Sequence, residues 1–372
     1  MRICMIGHKT VPSRDGGIEI VVEELATRMV NAGHEVTLFN RKRKGNKFKS
    51  EYKGIKLVDV FTINQKALDA IVYSYFATIK AIRDSKKGKY DVIHFHAEGP
   101  CNFLYMFGKP GSKKRSKMPK IVVTIHGLDW KRGKWGGLAT KILLRGEKQA
   151  VKYADEIIVL SQNNKKYFKE KYNRDTIFIP NGVSSAIFYE PEIIKEKWNL
   201  DKNNYVLFLA RIVPEKGVHY LVEAWKKVKV QIPLEKKLVI AGGASHSRDY
   251  FNQIKDMVKD DESIIMTDFV TSQTLYELFS NAYLYVLPSD IEGMPLSLLE
   301  AISYGNCCLV SNIPENLEVI TKDCFTFKKG NIDDLTQKLI QIINLNIISH
   351  NHPIQVYTWE DVIDKTIYIY KK

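Results

Sequence analysis

Two carboxylates eight positions apart are the first residues of this sequence that suggest chemistry. They are Glu292 and Glu300, in the stretch SDIEGMPLSLLEA that spans residues 289–301. Pro295 lies between them and fits the first turn of a helix, where its missing N–H group has no partner to lose. We therefore expect Glu292 on a loop and Glu300 on the helix that follows.

The start of that helix would suit the oxygen atoms of a ligand. Unpaired backbone N–H groups and the helix dipole favour anions there, so Gly293, Met294 and Leu296 could hold phosphate or sugar oxygens. Glu300, one turn beyond Leu296, could accept hydrogen bonds from a ribose diol, and Glu292 could accept them from sugar hydroxyls. The simpler alternative is a capping carboxylate followed by a solvated glutamate.

A second loop favours the ligand-binding alternative. Arg211 and Lys216 lie in FLARIVPEKGVHYLVEAW, residues 208–225, between a strand pattern and a helix pattern. A guanidinium can bond in a fork and an ammonium can act as a point charge, so both could approach the two phosphates of a nucleoside diphosphate. Such a pair on its own is more often a pair of surface charges.

Short apolar runs alternate with helical patterns along the chain, which is typical of parallel, doubly wound sheets. The strand candidates are residues 2–7, 34–40, 91–96, 120–127, 156–161 and 176–182, then residues 205–210, 237–243, 263–270, 282–288 and 307–311. The pattern restarts near residues 181–192. We predict an α/β chain of two Rossmann-like domains facing across a cleft, with ligands off the carboxyl ends of the strands.

The predicted domains are residues 1–185, residues 186–351 and a final amphipathic helix within residues 352–372. A further amphipathic helix is predicted over residues 67–82. It places on one face the side chains of Leu68, Ile71, Val72, Tyr75, Phe76, Ile79 and Ile82.

The first loop does not have the pattern of a nicotinamide or flavin site. No GxGxxG follows the first strand, and the second strand ends in Asn40 and Arg41 rather than a ribose-binding acid. Gly16 and Gly17 stand directly before a helix, where an anion could bind. An ordinary turn is an equally good interpretation of the two glycines.

Charge is distributed unevenly along the chain. Residues 1–185 hold 36 Lys and Arg against 17 Asp and Glu, whereas residues 186–372 hold 20 against 25. Two runs, residues 41–53 and 109–120, are strongly basic. Single runs of this kind are usually solvated loops, but two in one half indicate an anionic partner, either acidic lipid headgroups or nucleic acid.

The remaining composition indicates a cytoplasmic protein. The 5 cysteines form no CxxC pair, which argues for a reducing compartment and against a structural zinc or disulfide framework. No apolar stretch reaches the length of a membrane span, and the first residues already have a strand pattern rather than that of a signal peptide. Contact with a membrane surface remains compatible with this composition.

Two histidines and a tryptophan in the first half are candidate acceptor-binding residues. His94 and His96 share one face of a strand, a geometry compatible with metal binding. No third ligand is near in sequence, so contact with an acceptor or a structural role is the better interpretation. Trp130 and Arg132 could form an amphipathic lip for a membrane or a sugar, although simple packing would also explain the tryptophan.

Taken together, these segments resemble the retaining GT-B glycosyltransferases of family 4 over essentially the whole chain. EGMPLSLLE fits the E-x7-E motif of that family, and ARIVPEKGVHYLVEA resembles its diphosphate-binding loop. PNGV, at residues 180–183, and residues 16–39 resemble other landmarks of the family. HFHAEGP and TIHGLDWKRGKWGG resemble a bacterial branch that builds capsular and surface polysaccharides.

The resemblance implies transfer with retention from a UDP, GDP or dTDP sugar, without an obligatory metal or other cofactor. Arg211 and Lys216 would hold the diphosphate and stabilise its leaving charge. Glu300 would bind the ribose and Glu292 the donor sugar. His126 would line the reaction centre. Gly16 and Gly17 would face the diphosphate or the acceptor, and the final helix would cross back onto the first domain.

We therefore predict a glycosyltransferase whose acidic half binds the nucleotide sugar and whose basic half binds a lipid-linked glycan acceptor at an anionic membrane surface. It would work in the cytoplasm, on the inner face of the membrane. One alternative is another tandem-Rossmann sugar-nucleotide enzyme, such as an epimerase. The other is a nucleic-acid-binding protein, although no helix-turn-helix, RRM or OB pattern is present.

Overall fold

The computed structural model of the chain describes residues 1–13, 16–42, 49–63, 65, 68–131, 136–233, 235–245, 247–322, 324–346 and 357–372. The chain is divided into two compact units. The first unit comprises residues 1–181 and 359–372, and the second comprises residues 182–358. The final helix thus belongs to the first unit. Each unit is built around one sheet whose strands are almost all parallel.

In the described part of the first unit, eight strands form one sheet in the order β3-β4-β2-β1-β5-β6-β7-β8. They are β1 Arg2–Ile6, β2 Glu35–Arg41, β3 Glu51–Tyr52, β4 Ile55–Val60, β5 Val92–His96, β6 Lys120–Ile125, β7 Glu156–Val159 and β8 Ile177–Phe178. All neighbours are parallel except β3 and β4.

The helices of this unit are α1 Gly17–Asn31, α2 Asp69–Ser85, α3 Gly137–Tyr153 and α4 Gln162–Tyr172, with short 3-10 helices at Gly99–Phe107, Arg115–Lys117 and Asp129–Lys131. The last helix of the chain, Trp359–Lys371, packs against α1. Its Tyr370 hydroxyl lies 2.6 Å from Nδ1 of His94, and its Ile369 carbonyl accepts a bond from Lys120 Nζ at 2.6 Å.

The second unit has a six-stranded sheet in the order β11-β10-β9-β12-β13-β14. Its strands are β9 Tyr205–Leu209, β10 Lys237–Ala241, β11 Ile264–Asp268, β12 Leu284–Leu287, β13 Cys308–Ser311 and β14 Phe325–Phe327. Its helices are α5 Ile193–Trp198, α6 Val218–Gln231, α7 Arg248–Val258, α8 Ser272–Asn281, α9 Leu296–Ser303, α10 Pro314–Leu317 and α11 Ile332–Asn344; the chain's last helix is α12. Apolar clusters cover both faces of this sheet.

The structure confirms the predicted fold class, and it adds strands that the sequence analysis missed. The missed strands are β3, β4 and β14. In β4, IKLVDV alternates buried and exposed residues near the edge of the sheet, so it lacks the continuous apolar run that marks a central strand. In β14 the strand has 3 residues, too few to show a period.

Helix α2 is formed as predicted, but the two aromatic rings of its apolar face, Tyr75 and Phe76, do not face the core. Its buried side is made of small or polar residues, with Tyr73 as the exception, and includes Ala77 and Ala81. Tyr75 and Phe76 are about two-fifths exposed, at 41% and 40%. An amphipathic helix ordinarily turns its large apolar side chains inward, so the outward face of α2 is an unusual feature of this surface.

The turn from β9 into α6 is pressed against the end of β12. Gly217 begins α6 with φ +67°, and a Cβ atom there would lie 2.1 Å from the carbonyl oxygen of Pro288. Only glycine combines that left-handed backbone with so close an approach. The two loops that follow β9 and β12 are thereby held together.

We predict that Gly217→Ala destabilises the second unit much more than Gly330→Ala. Both glycines have the same left-handed backbone, φ +67° and +68°, but the nearest atom to a Cβ at Gly330 is 3.8 Å away. Gly330→Ala should cost about 1 kcal/mol of backbone strain. Gly217→Ala adds an overlap with backbone atoms, which should cost roughly 1–3 kcal/mol more. Urea unfolding measures both, and equal losses would contradict the packing described here.

Candidate active site

Strands β9 and β12 bring the two predicted loops side by side. The strands are parallel neighbours, with Leu284 opposite Val206 and Tyr285 opposite Leu207, so both loops leave from the same edge of the sheet. In the strand order, β10 and β11 lie beyond β9, and β13 and β14 lie beyond β12. The chain thus winds in opposite directions from this point, and open α/β sheets bind ligands at such a switch point.

The loops are joined to each other through their backbones. The Asp290 N–H donates to the carbonyl oxygen of Glu215 at 2.9 Å, and Tyr220 donates from its hydroxyl to Asp290 Oδ2 at 3.3 Å. Residues Pro214–Lys216 form a single 3-10 turn that ends at Gly217. The cation loop and the carboxylate loop are therefore one structural element at the carboxyl edge of the sheet.

Lys216 and Glu292 form an ion pair at this edge. Lys216 Nζ lies 2.5 Å from Glu292 Oε1, and the two side chains are 13% and 7% exposed. Ser289 donates from its hydroxyl to the same carboxylate oxygen at 2.6 Å. A charge so deeply buried needs a partner, because removal from water is otherwise too unfavourable. Lys216, the residue predicted to bind phosphate, and Glu292, the residue predicted to bind the sugar, are thus bonded to each other here.

Three polar residues form a hydrogen-bond network behind Glu292 and were not identified as site residues from the sequence: Ser289, Ser311 and Asn316. Ser311, the last residue of β13, donates to the carbonyl oxygen of Ser289 at 2.5 Å. Asn316 donates from Nδ2 to the carbonyl oxygen and the hydroxyl of Ser311 at 3.0 and 3.1 Å. A serine directly after, or at the end of, an apolar strand is the signal that could have identified Ser289 and Ser311. This network fixes the loop that carries Glu292.

Arg211 is the other cation of this edge. It lies two residues beyond β9 and is half-buried. Its position is set by backbone bonds of the preceding and following residues, Ala210 N–H to Ala241 O at 3.2 Å and Ile212 N–H to Gly243 O at 3.0 Å. Within the described ranges its guanidinium has no hydrogen-bond or ion-pair partner. It is a fork-shaped donor on the same loop as Lys216.

Helix α9 differs slightly from the prediction. Pro295 is the residue that caps the helix, not part of its first turn, and its carbonyl oxygen accepts the N–H groups of Leu298 and Leu299 at 3.1 Å each. The helix ends at Ser303. The extended backbone of Pro295, with ψ 101°, explains the difference at Pro295, because a residue in the first turn would have helical ψ.

The residues predicted around α9 occupy its start and its partly exposed side. Gly293 is buried and Met294 is half-buried. Leu296 and Glu300, four positions apart, are both half-buried, while Leu298 and Leu299 belong to the buried side. Glu300 thus shares a helix face with Leu296, one turn from the loop of Glu292.

The first unit has its own switch point, between β1 and β5, and buried histidines surround it. His8 follows β1, His94 and His96 lie in β5, and His126 follows β6. The first three are fully buried and His126 is 9% exposed. His96 Nδ1 lies 3.0 Å from His126 Nε2, so His96 orients the ring of His126.

Both ring nitrogens of His94 are bonded inside the unit. Nε2 lies 2.7 Å from the Thr124 hydroxyl, and Nδ1 lies 2.6 Å from that of Tyr370. Its ring stacks on His96 with centroids 4.1 Å apart. This arrangement supports the structural interpretation of His94 rather than contact with an acceptor. His96 is different, because its buried Nε2 has no partner within the described residues.

Asn40 stands where a dinucleotide-binding unit would have a ribose-binding acid. Its side chain holds the loop after β1. Its side chain donates to Val11 O at 2.9 Å and accepts from Val11 N–H at 3.0 Å. Its Oδ1 atom also lies 2.9 Å from His8 Nε2. Since that oxygen is an acceptor, His8 donates from Nε2 and its Nδ1 carries no proton.

Burial makes these histidines weak bases. It lowers the pKa of His8 to about 4 and that of His94 to about 3, and it lowers the pKa of His96 well below the usual value. The cause is the loss of water around a charged imidazolium. His8, His94 and His96 are therefore neutral near pH 7.

Gly16 and Gly17 lie where α1 begins, as predicted. Gly16 precedes the helix with extended backbone, φ −162°, and Gly17 is its first residue. A Cβ atom at Gly16 would lie 2.4 Å from Glu19 Oε2, and Glu19 Oε1 accepts the Lys9 N–H at 2.9 Å. A carboxylate therefore already occupies part of the space near this helix start, which supports the interpretation as a turn.

Trp130 is packed into the first unit. Its indole N–H donates to Glu147 Oε2 at 3.0 Å. Glu147 is fully buried and also accepts from the hydroxyls of Tyr167 and Tyr172 at 2.8 and 2.5 Å. This geometry supports packing rather than a free lip for a membrane or sugar. Arg132, the other predicted member of the lip, lies outside the described residues.

Across the part of the chain that the structure describes, no three His, Cys, Asp or Glu side chains converge to hold a metal ion. The same residues contain no helix long and apolar enough to cross a membrane.

The two sheets, each with a polar switch point, define a tandem α/β chain of the GT-B type. Residues 15–186 match the family model Glycosyltransferase Family 4, and residues 190–355 match the model Glycosyl transferases group 1. The chain therefore belongs to the GT-B glycosyltransferases of family 4, which confirms the resemblance noted in its motifs.

Two relatives and one solved structure illustrate the relationship. An uncharacterized glycosyltransferase of Methanocaldococcus jannaschii is 26% identical, over 100% of this chain and 98% of its own. The UDP-Gal:alpha-D-GlcNAc-diphosphoundecaprenol alpha-1,3-galactosyltransferase of Escherichia coli is 28% identical, over 72% and 70%. Anabaena HepE, solved with UDP and glucose, has the same fold, with a TM-score of 0.77 at 14% identity over 100% of both chains.

The buried ion pair predicts strong energetic coupling between Lys216 and Glu292. Lys216→Met leaves a buried carboxylate without its cation and should cost about 3 kcal/mol or more of unfolding free energy. Lys216→Met with Glu292→Gln should cost clearly less than the sum of the single changes, because their coupling should be about 1–3 kcal/mol. Urea unfolding of the four proteins completes the cycle.

The control for this cycle is the pair of Lys195 and Asp201 in the same unit. Its atoms are also close, at 2.7 Å, but the side chains are 59% and 51% exposed. Lys195→Met and Asp201→Asn should couple by less than about 1 kcal/mol. If the two cycles give equal coupling, the Lys216–Glu292 pair is not the buried constraint described here.

The neutral histidines predict a loss of stability in mild acid. The unfolded chain binds protons at a pKa of about 6.5, whereas folded His94 resists protonation until about pH 3. The unfolded state therefore binds more protons below pH 6.5, and stability is lost as the pH falls from there toward the folded pKa. Each such histidine contributes about 1.4 kcal/mol per pH unit.

Urea unfolding between pH 7 and pH 4 tests this expectation. His94→Gln should be less stable than the natural chain at pH 7, and its stability should fall less steeply with pH, by about one proton. An unchanged slope in His94→Gln would show that His94 does not titrate as a buried neutral group.

Proposed function

We propose that this protein transfers a sugar from a nucleoside-diphosphate sugar to a lipid-linked saccharide, with retention of configuration at the transferred carbon and without an obligatory metal. The observation that carries the proposal is that Arg211, the Lys216–Glu292 pair and helix α9 all lie on the segments that follow the neighbouring strands β9 and β12, at one switch point. Two cations suit the two phosphates of a donor, and the carboxylates suit hydroxyl groups.

In this proposal Arg211 binds the diphosphate in a fork, and Lys216 contributes a point charge. When the bond between the sugar and the diphosphate breaks, its electron pair goes to the departing phosphate oxygen. Fixed cations at that oxygen stabilise the charge that develops in the transition state. The buried position of Lys216 strengthens this effect, because water screens its charge little.

Glu292 has two functions in the proposal. Before the donor binds, it compensates the charge of Lys216 at 2.5 Å. With the donor bound, Lys216 turns toward phosphate, and the carboxylate accepts hydrogen bonds from the hydroxyls of the donor sugar. Ser289 keeps the carboxylate in place through its bond of 2.6 Å. Glu300, on the partly exposed side of α9, accepts bonds from the ribose.

The first unit supplies the acceptor side of the reaction in this proposal. His126 lines the reaction centre, and the buried His96 sets its ring orientation through a bond of 3.0 Å. Gly16 and Gly17 stay candidates for contact with the diphosphate or the acceptor. Since burial keeps His8, His94 and His96 neutral, this region suits sugar hydroxyls better than phosphate.

The proposed acceptor class follows from the Escherichia coli relative, whose name specifies a UDP-galactose donor and a diphosphoundecaprenol-linked sugar. By this likeness we propose a UDP-hexose donor, with GDP and dTDP sugars as the alternatives to be tested. The reaction would belong to surface or capsular polysaccharide synthesis in a bacterium. The protein would work in the cytoplasm, held peripherally on the inner membrane face.

A thermal-shift titration with UDP, GDP, dTDP, ADP and NAD tests the donor site. A ligand that binds only the folded state stabilises it by about 2.7 kcal/mol at one hundred times its dissociation constant. We expect one nucleoside diphosphate to raise the melting temperature, with and without magnesium. Arg211→Ala should abolish the shift, whereas Lys202→Ala, an exposed change in the same unit, should leave it intact.

The same titration contains the outcomes against the proposal. Stabilisation by NAD alone would favour an epimerase-like enzyme, and stabilisation by polyanions alone would favour a nucleic-acid-binding protein. A shift that requires magnesium would contradict metal-independent binding. With the donor identified, release of the nucleoside diphosphate in the presence of a diphospholipid-linked sugar measures transfer, and the configuration of the product tests retention.

A further inference from the structure

The outward face of α2 forms the centre of a continuous aromatic surface. Phe61 is 54% exposed, and its ring lies 5.2 Å from that of Phe76. Phe76 lies 5.4 Å from Tyr75, and Tyr75 lies 5.4 Å from Phe103. We call these four residues the aromatic patch. Leu68, just before α2, and Tyr105, on the 3-10 helix at Gly99–Phe107, are also exposed, at 45% and 44%.

The packing of α2 explains why these rings are outside. Its inner face meets the sheet mostly through small residues such as Ala77 and Ala81, which are fully buried, and Tyr73 is the one aromatic ring on that side. The rings of Tyr75 and Phe76 stay on the surface, although contact with water is unfavourable for them. A contiguous exposed apolar surface on a folded chain marks a place of contact with another body.

Several lysines lie on the loop that follows the 3-10 helix of Phe103. The 3-10 helix that carries Phe103 ends at Phe107, about 8 Å further along at the usual rise. There the chain turns at Gly108, and a Cβ atom on Gly108 would lie 3.2 Å from Lys114 Cβ. The loop of residues 109–117 is thus folded against the end of this helix.

We call Lys109, Lys113, Lys114 and Lys117 the lysine cluster. All four are exposed, and no acidic residue occurs between residues 109 and 120. In the ranges that the structure describes, none of the four has an ion-pair partner. By contrast the arginine of this loop, Arg115, is buried and pairs with Asp155. Arg115 therefore anchors the loop to the first unit, and the lysine cluster is exposed to solvent.

We propose that the aromatic patch and the lysine cluster together form the surface by which this protein binds an anionic lipid bilayer. Aromatic rings favour the boundary between headgroups and acyl chains, and lysines are attracted by anionic headgroups. The inference rests on the proposed function, since a lipid-linked acceptor requires the protein to work at a bilayer. It adds which residues make that contact.

The geometry of the rings distinguishes a bilayer from other anionic partners. The three ring pairs meet edge to face, with interplanar angles of 85°, 75° and 67°. A surface that binds single-stranded nucleic acid instead presents open ring faces on which bases stack. A second copy of this chain would meet the lysine cluster with the same positive charge, whereas anionic headgroups complement it.

Vesicle flotation with the full chain tests the surface. The probe is a phosphatidylcholine vesicle containing about one third phosphatidylglycerol, compared with pure phosphatidylcholine at low and high salt. The patch variant carries Phe61→Ser, Tyr75→Ser and Phe76→Ser. The lysine variant carries Lys109→Gln, Lys113→Gln, Lys114→Gln and Lys117→Gln. We expect each to weaken binding to the anionic vesicle by about tenfold or more.

Two matched controls change the second unit by the same amount. One carries Lys202→Gln, Lys259→Gln, Lys328→Gln and Lys329→Gln, all at exposed positions. The other replaces the exposed Phe269, Leu317 and Leu345 with serine. Both controls should bind vesicles like the natural chain. Binding that falls equally in variants and controls would overturn the proposal, because attraction would then be unspecific.

Two further measurements separate this inference from the proposed function. The nucleotide-induced rise in melting temperature should be equal in the natural chain, the patch variant and the lysine variant, which also shows that the variants fold. If a nucleoside diphosphate stabilises the natural chain but the chain does not float with anionic vesicles, the surface proposal is wrong and the donor site stands. If the patch variant instead dissociates a dimer seen by light scattering, the patch is an interface between copies, and the bilayer proposal fails.

Discussion

The candidate donor site depends on one buried interaction, the ion pair of Lys216 and Glu292. The pair joins the loop after β9 to the loop after β12, and it lies where the winding of the second sheet changes direction. An ammonium and a carboxylate this deeply buried stabilise each other only while both loops keep their positions. Gly217, the Asp290 N–H bond and the Ser289–Ser311–Asn316 network all act to keep them there.

The two units have the same kind of sheet, but the side chains at their switch points differ in charge. The second unit carries paired charges and a half-buried arginine at its switch point, which suits a charged ligand. The first unit surrounds its switch point with histidines that burial keeps neutral, which suits an uncharged, hydroxyl-bearing ligand. Its positive charge is instead on the surface, beside exposed aromatic rings.

Much of this could be predicted from the sequence, because it depends on local patterns. Strands such as β9 and β12 are continuous apolar runs, and the loops that follow them carry Arg211, Lys216 and Glu292. β4 and β14 were missed, since a strand of mixed polarity next to the sheet edge and a strand of 3 residues have little local signal. The periodicity of α2 predicted an amphipathic helix, but the side that faces the core depends on how closely the sheet lets the helix approach.

What the sequence alone determined is the order of elements and the residues available for chemistry, because periodicity and glycine or proline positions act over a few neighbours. What only the tertiary structure decided is which of those residues meet. Glu292 and Lys216 are 76 positions apart, and His94 and Tyr370 are 276 apart. Their contacts follow from strand order and close backbone approach, and these arise only when distant segments pack together and exclude water.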